Sequence, residues 1–168
     1  KDGKVFVHDQ VKTMMHKGGE MGLISAPFNY EDGGMQIPFL SHTAATYILD
    51  AANNHLPGYA GLTQGAAELI IHFANKELNQ TYVPNMLSGQ WGGTMCLTEP
   101  QAGSSLSDIV TKATPTQDGY YKLTGQKIFI SGGDNNFTEN VVHLVLARIE
   151  GAPKGTKGIS LFVVPKNR

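Results

Sequence analysis

Cysteine is nearly absent from this chain: Cys96 is the one such residue in 168. A single thiol excludes an internal disulfide framework and a cysteine-based zinc cluster, and the expected location is a reducing compartment, the cytoplasm. Charge imbalance is missing as well. Lys and Arg number 13 against 14 Asp and Glu, a formal net charge of -1, so there is no electrostatic footprint for a nucleic-acid partner. Long apolar runs are lacking. None approaches the roughly 20 residues needed to cross a bilayer, and Lys1-Asp2-Gly3-Lys4 leads into no signal-peptide core, so no membrane partner is expected. An initiator methionine is also absent and the chain stops at Pro165-Lys166-Asn167-Arg168, which reads as a piece of something longer.

What is present is a 40% hydrophobic content with 16% charged residues, enough apolar material for a core and too ordinary a balance for disorder. Up to about Ser88 the apolar spacing is helical. Asp9 ahead of Val11, Met14 and Met15, with Gly18-Gly19 after them, predicts a short helix with an N-cap and a glycine stop. The stretch from Gly22 to Pro38 carries Pro27, Gly33 and Gly34 around few periodic positions and reads as an ordered loop or short hairpin. Ala44, Tyr47, Ile48 and Ala51 then put one apolar face on a helix starting near Ser41 and ended by Pro57-Gly58. Leu62, Ala66, Leu69, Ile70 and Phe73 repeat the pattern in a second helix reaching about Lys76 or Glu77. A last short turn fits Val83 to Ser88, with Pro84 in its first turn.

From Gly92 onward the period becomes that of strands. Met95 and Leu97 begin it, Ile109 to Ala113 alternates, and Asp118-Gly119 before Tyr120 to Thr124 has the form of a tight hairpin turn with positive φ at both central positions. Ile128-Phe129-Ile130, Val141 to Ala147 and Ile159 to Val164 complete roughly five or six strands in an antiparallel meander or barrel. Helices segregated from strands give an α+β class, a partial N-terminal helical bundle (1–90) followed by an antiparallel β-barrel or sandwich (91–168).

Two segments stand out chemically. Met95-Cys96-Leu97-Thr98-Glu99-Pro100-Gln101-Ala102-Gly103-Ser104-Ser105 and Gly125-Gln126-Lys127-Ile128-Phe129-Ile130-Ser131-Gly132-Gly133 both end in small, hydroxyl-bearing tips after an apolar stretch, the way a sheet presents N–H groups and hydroxyls to an anionic, planar ligand. In order and spacing, Thr98-Glu99-Pro100, Gly103-Ser104, Gly125-Gln126-Lys127 and Phe129-Ile130-Ser131 resemble the middle β-domain of the acyl-CoA dehydrogenases. Gly22-Leu23, Gly33-Gly34 and Leu87-Ser88-Gly89 resemble the same family's N-terminal helical domain. Gln90 to Met95, Glu139 to Arg148 and Gly155 to Phe162 are similar to the long subfamily that includes 3-methylmercaptopropionyl-CoA dehydrogenases.

The resemblance implies an FAD flavoprotein that oxidises an acyl-CoA to its trans-2-enoyl-CoA, with electron-transfer flavoprotein as acceptor and homo-oligomers of the complete protein. It implies cofactor binding by Met95, Leu97, Thr98, Gly103, Ser104, Phe129, Ile130 and Ser131, and substrate binding by Ser104. Ser131 stands where the family usually has threonine. The family's Gly-Ser-Asp is replaced by Gly103-Ser104-Ser105, which removes a carboxylate from that turn and raises Asp108 as a substitute. No catalytic residue is assigned here, because the family's glutamate base lies on a C-terminal helical domain outside this chain. A non-catalytic flavin- or acyl-CoA-binding module and a flavin oxidase of the same fold stay open as alternatives.

Other residues carry plainer readings. Glu99 beside Pro100 reads as a hydrogen-bonded structural anchor rather than a general base, and Cys96 as a small buried hydrophobe. Trp91 reads as packing. His8, His16, His42, His55, His72 and His143 show no metal-ligand spacing, so no metal is expected. Lys154 and Lys157 read as a solvated loop tip, with guidance of an anionic CoA as the alternative.

Overall fold

The computed structural model describes residues 3–167. The described residues form four α-helices, α1 (Asp9–Glu20), α2 (Phe39–Asn53), α3 (Gly58–Phe73) and α4 (Lys76–Leu87), then five strands, β1 (Trp91–Cys96), β2 (Lys112–Pro115), β3 (Tyr121–Thr124), β4 (Asn140–Ile149) and β5 (Ile159–Pro165). The α+β class is observed. The sheet runs β1-β4-β2-β3, with β5 also on β4. β2 pairs antiparallel with β3 but parallel with β4, through Lys112 opposite Arg148 and Ala113 opposite Ile149, so the sheet is mixed where an antiparallel one is expected from the sequence. The chain divides into two compact units, one holding residues up to Thr94 with Gly132–Val142 and the stretch from Pro165, the other holding Met95–Ser131 and His143–Val164.

In the first unit α3 packs on both α1 and α4. Val11, Met15, Ile24, Ala66, Ala67, Ile70, Val83, Met86 and Leu87 make the core. α1 differs from its expected form at both ends. His8 rather than Asp9 is the N-cap, its Nδ1 accepting from Gln10 N, and the helix runs through Gly18 and Gly19 instead of stopping there. Gly19 is needed where it is: a Cβ there would overlap the Ser88 carbonyl, and a Cβ on Gly89, which has φ +76°, would overlap the Met15 carbonyl. Two backbones touch at this crossing.

α4 is a full 12-residue helix rather than a short turn. Asn75 starts it, its Oδ1 accepting from Leu78 N at 2.9 Å, so Pro84 lies in the interior and costs one helical hydrogen bond. The same cap explains why α3 ends at Phe73 and not at Lys76 or Glu77, since Ala74 and Asn75 are extended. α2 forms as its periodicity predicts, yet none of its residues is buried: Tyr47 is 74% and Ile48 67% exposed. On α3, Ala66 and Ile70 are buried as expected while Phe73 is exposed. Trp91 packs its ring at 6.1 Å from Tyr82.

The second unit holds the β2–β3 hairpin. Thr116 N donates to Tyr120 O across a three-residue loop, and Gly119 alone has the positive φ, so the two-residue turn expected at Asp118-Gly119 is replaced by the longer glycine-bulged kind. Two expected strand segments are irregular. Ile109 to Thr111 stays outside β2, and Ile128 to Ile130 is not a strand.

Candidate functional site

Glu99 is 2% exposed and collects donors from three stretches of the second unit. Its Oε2 accepts from Val110 N at 2.7 Å and from Gln101 Nε2 at 2.7 Å. Its Oε1 accepts from Thr111 N at 3.1 Å, Thr111 Oγ1 at 2.6 Å and Lys127 Nζ at 2.8 Å. Val110 and Thr111 therefore spend their N–H groups on a carboxylate rather than on a neighbouring strand, which is why β2 begins only at Lys112. Burial alone raises the carboxyl's pKa, but the bonds from Lys127, Thr111, Val110 and Gln101 outweigh it and bring it from 4.5 down to about 2. An acid this strong is fully ionised near neutrality and makes a poor proton acceptor; Glu99 is an anchor.

Lys127 carries the anchor to the second segment. Its ammonium also donates to Leu97 O at 3.0 Å, and Ile128 N donates to Thr98 O at 3.0 Å. The stretches 97–98 and 127–128, 30 residues apart in sequence for the Lys127–Leu97 bond, are thereby held side by side. Gly125 lets the chain just before Lys127 lie against Thr111, because a Cβ there would overlap Thr111 Oγ1. Immediately beyond, Phe129 takes φ +57° with its side chain 88% exposed, a left-handed conformation outside the extended region of a regular strand.

The eight residues marked in the sequence all fall in this unit. Thr98 lies against the Ile128 backbone, and Leu97 and Ile130 are half-buried. Met95 points outward from β1, 37% exposed between buried Thr94 and Cys96. Gly103 and Ser104 are exposed just past a reciprocal pair of backbone bonds between Glu99 and Ala102. Ser131 is exposed. The hydroxyls of Thr98, Ser104 and Ser131 have no hydrogen-bond partner among the described residues. A Cβ on Gly103 would meet no atom of the chain within 4 Å, so the fold does not demand glycine there and the backbone stands open to a ligand. Asp108 does not cap the Gly103-Ser104-Ser105 turn. Its carboxylate accepts from Ser107 Oγ at 3.3 Å, while Ser105 Oγ and Ser107 Oγ share a 2.9 Å bond.

Lys127 and Arg148 are the contributors that sequence reasoning missed. Arg148 donates from Nε to Ile109 O (2.8 Å), from Nη2 to Ser107 O (2.6 Å) and from Nη1 to Gly155 O (2.7 Å) and Pro153 O (3.4 Å). It ties the loop after Ser104 to the loop before β5. A signal for the ion pair exists in the sequence: Glu99 is the single charged residue between Glu77 and Asp108, and Lys127 the single one between Lys122 and Asp134. Isolated opposite charges in apolar surroundings are those that pair when buried. Cys96 is buried, its sulfur 3.8 Å from His143 Nδ1. Among the described residues no three His, Cys, Asp or Glu side chains are grouped as metal ligands would be, and no helix is long and apolar enough to cross a membrane.

Residues 4–90 match the family described as acyl-CoA dehydrogenase, N-terminal domain, and residues 94–168 match acyl-CoA dehydrogenase, middle domain. The chain belongs to the acyl-CoA dehydrogenase family. A 3-methylmercaptopropionyl-CoA dehydrogenase of Ruegeria pomeroyi is 41% identical over 98% of this chain, which spans 28% of that relative's length. A solved acyl-CoA dehydrogenase of Bacillus anthracis, complexed with FAD, superposes with a TM-score of 0.78 at 27% identity, covering 95% of this chain and 26% of the other. A solved chain described under electron transferring flavoprotein of Acidaminococcus fermentans gives 0.79 at 30% identity, covering 93% and 40%.

Proposed function

We propose that this acyl-CoA dehydrogenase chain is the N-terminal helical part (1–90) and middle β part (91–168) of an FAD enzyme that oxidises an acyl-CoA to its trans-2-enoyl-CoA. The observation that carries the reading is the side-by-side placement of Thr98 and Ile128, which sets unpartnered hydroxyls and an exposed Phe129 at the ends of two segments distant in sequence. When bound, FAD supplies at flavin N5 the acceptor for the hydride that leaves Cβ. By the family resemblance, removal of the Cα proton falls to a glutamate outside this chain, and Glu99, consumed as an anchor, does not compete for that role.

The residues of this chain fit such a cofactor by the chemistry of their donors. Thr98 and Ser131 offer hydroxyls to a ring edge, where donors stabilise the charge of the reduced form. Phe129 offers an uncovered aromatic face, and Met95, Leu97 and Ile130 apolar surface. Gly103 and Ser104 offer backbone N–H and hydroxyl to a pyrophosphate, and Ser104 also to the substrate. Electron-transfer flavoprotein as acceptor, a homo-oligomeric complete protein and a cytoplasmic location complete the proposal.

The test is anaerobic addition of acyl-CoAs, 3-methylmercaptopropionyl-CoA among them, to the full-length protein while the flavin absorption band is followed. Bleaching is expected, and a band unmoved by every acyl-CoA would overturn the reading. Because the chain spans 28% of the relative it matches over nearly its whole length, the 168 residues alone are expected to show no steady acyl-CoA oxidation; turnover by the isolated chain would place the base within it. Phe129→Ala is expected to change unfolding free energy by no more than about 0.5 kcal/mol, since an exposed ring packs against little. The same variant should bind FAD about tenfold or more weakly, the loss of an aromatic contact. Equilibrium unfolding and FAD titration check the two halves.

A further inference from the structure

We infer that Lys127 is the positioning residue of this site: by holding Leu97 O and Glu99 Oε1 at once, it fixes the spacing between the Leu97–Thr98 and Phe129–Ser131 backbones. The inference rests on the flavin reading above. Its ground is the division of labour in the buried cluster. The Glu99 carboxylate keeps four donors from Val110, Thr111 and Gln101 without any help from Lys127. What Lys127 adds is a bond to the carbonyl next to Thr98, made by a residue two positions before Phe129. Ile128 N to Thr98 O is one point of attachment and would leave the second segment able to pivot; the ammonium supplies another. Its side chain is 11% exposed, so little water competes for either bond. Phe129 at φ +57° is a conformation that surroundings must enforce, and the Lys127–Ile128 attachment is what directly precedes it.

A compact ammonium can serve two acceptors from one nitrogen, whereas the longer, planar guanidinium of arginine spreads its donors over a fork. Lys127→Arg therefore keeps the charge and alters the spacing. In the full-length protein this variant is expected to unfold at a midpoint close to that of the wild type. It is expected to bind FAD about tenfold or more weakly, with a shifted absorption spectrum of the bound flavin, the effect of a site loosened by a fraction of an ångström. It should also speed amide hydrogen exchange across Ile128–Ser131 while Val110 and Thr111 stay protected. A role in charge neutralisation alone would be rescued by arginine. FAD affinity within threefold of wild type together with an unshifted flavin spectrum would overturn the inference, as would unchanged exchange over Ile128–Ser131. Failure of the wild type itself to take up FAD would instead overturn the flavin reading beneath it. Lys127→Met removes both bonds and is expected to lose more affinity than Lys127→Arg; equal or better binding would count against positioning.

Discussion

Replacement of Glu99 by alanine is expected to destabilise the protein by about 3–5 kcal/mol, the loss that follows removal of one partner from a buried, hydrogen-bonded ion pair. The size comes from what is left behind. The Lys127 ammonium, Val110 N, Thr111 N and Thr111 Oγ1 would each lose an acceptor in a site where water reaches little. Denaturant unfolding of wild type and Glu99→Ala in the absence of FAD is the measurement, and a loss below about 1 kcal/mol, the yield of an ordinary surface pair, would show that the cluster is not holding the segment. The pH dependence follows from the same bonds. Glu99 has a folded pKa of about 2 against an ordinary 4.5, so its contribution is present above pH 4.5 and lost as pH falls from there toward about 2. At 1.36 kcal/mol per unit, that contribution is about 3 kcal/mol. The acid limb of the stability curve should be shallower in Glu99→Gln, which has no proton to take up.

Gly19→Ala is the second large effect. Its Cβ would overlap the Ser88 carbonyl, with Gly89 N only 2.8 Å away, and both are backbone atoms that no rotamer change can clear. An extra methyl in a tight core costs about 1–3 kcal/mol, and contact with main chain puts this substitution at the top of that range. The gain of about 1 kcal/mol from replacing a helical glycine by alanine does not offset it. A fall in melting temperature is therefore expected where helix propensity alone predicts a rise. Gly65→Ala is the control: it lies in α3, is exposed, and its Cβ would meet nothing within 4 Å, so its melting temperature should hold or increase.

The Gly18-Gly19 pair also shows where reading the sequence stops working. Two glycines after Met15 have the local form of a helix stop, and a stop is what local rules predict. The actual role of Gly19, letting α1 lie against the chain after α4, depends on Ser88 and Gly89, about 70 residues downstream and invisible to a local rule. α4 was hidden for a related reason: Pro84 looks like a beginning unless Asn75 is recognised as the cap. In α2 the periodicity of Ala44, Tyr47, Ile48 and Ala51 correctly announces a helix, but periodicity reports that an apolar face exists and not what lies against it. The strands β4 and β5 were legible because runs of Val, Ile, Leu and Phe suit a half-buried pleat. Ile109 to Thr111 and Ile128 to Ile130 have the same composition and fail as strands: in the first the main-chain groups answer to Glu99 and Arg148, and in the second Phe129 is left-handed. At the site, the order Thr98-Glu99-Pro100, Gly103-Ser104, Phe129-Ile130-Ser131 was readable by resemblance, whereas the parts that brace it, Lys127 and Arg148, show only when the carbonyls they seek are in place.

Arg148 also sets how this part of the molecule can vary in length. Surface loops ordinarily absorb inserted residues at little cost, because loop closure grows only slowly with length. The Gln117–Gly119 loop, with no side-chain tie to another segment among the described residues, is of that kind. The segment around Pro153–Gly155 looks similar in sequence but is pinned through two of its carbonyls to the guanidinium that also grips Ser107 and Ile109. A residue added there must either release the guanidinium or drag the stretch following Ser104 with it. Two surface loops thus differ in how freely they can drift, and the difference is imposed by one side chain on a neighbouring strand.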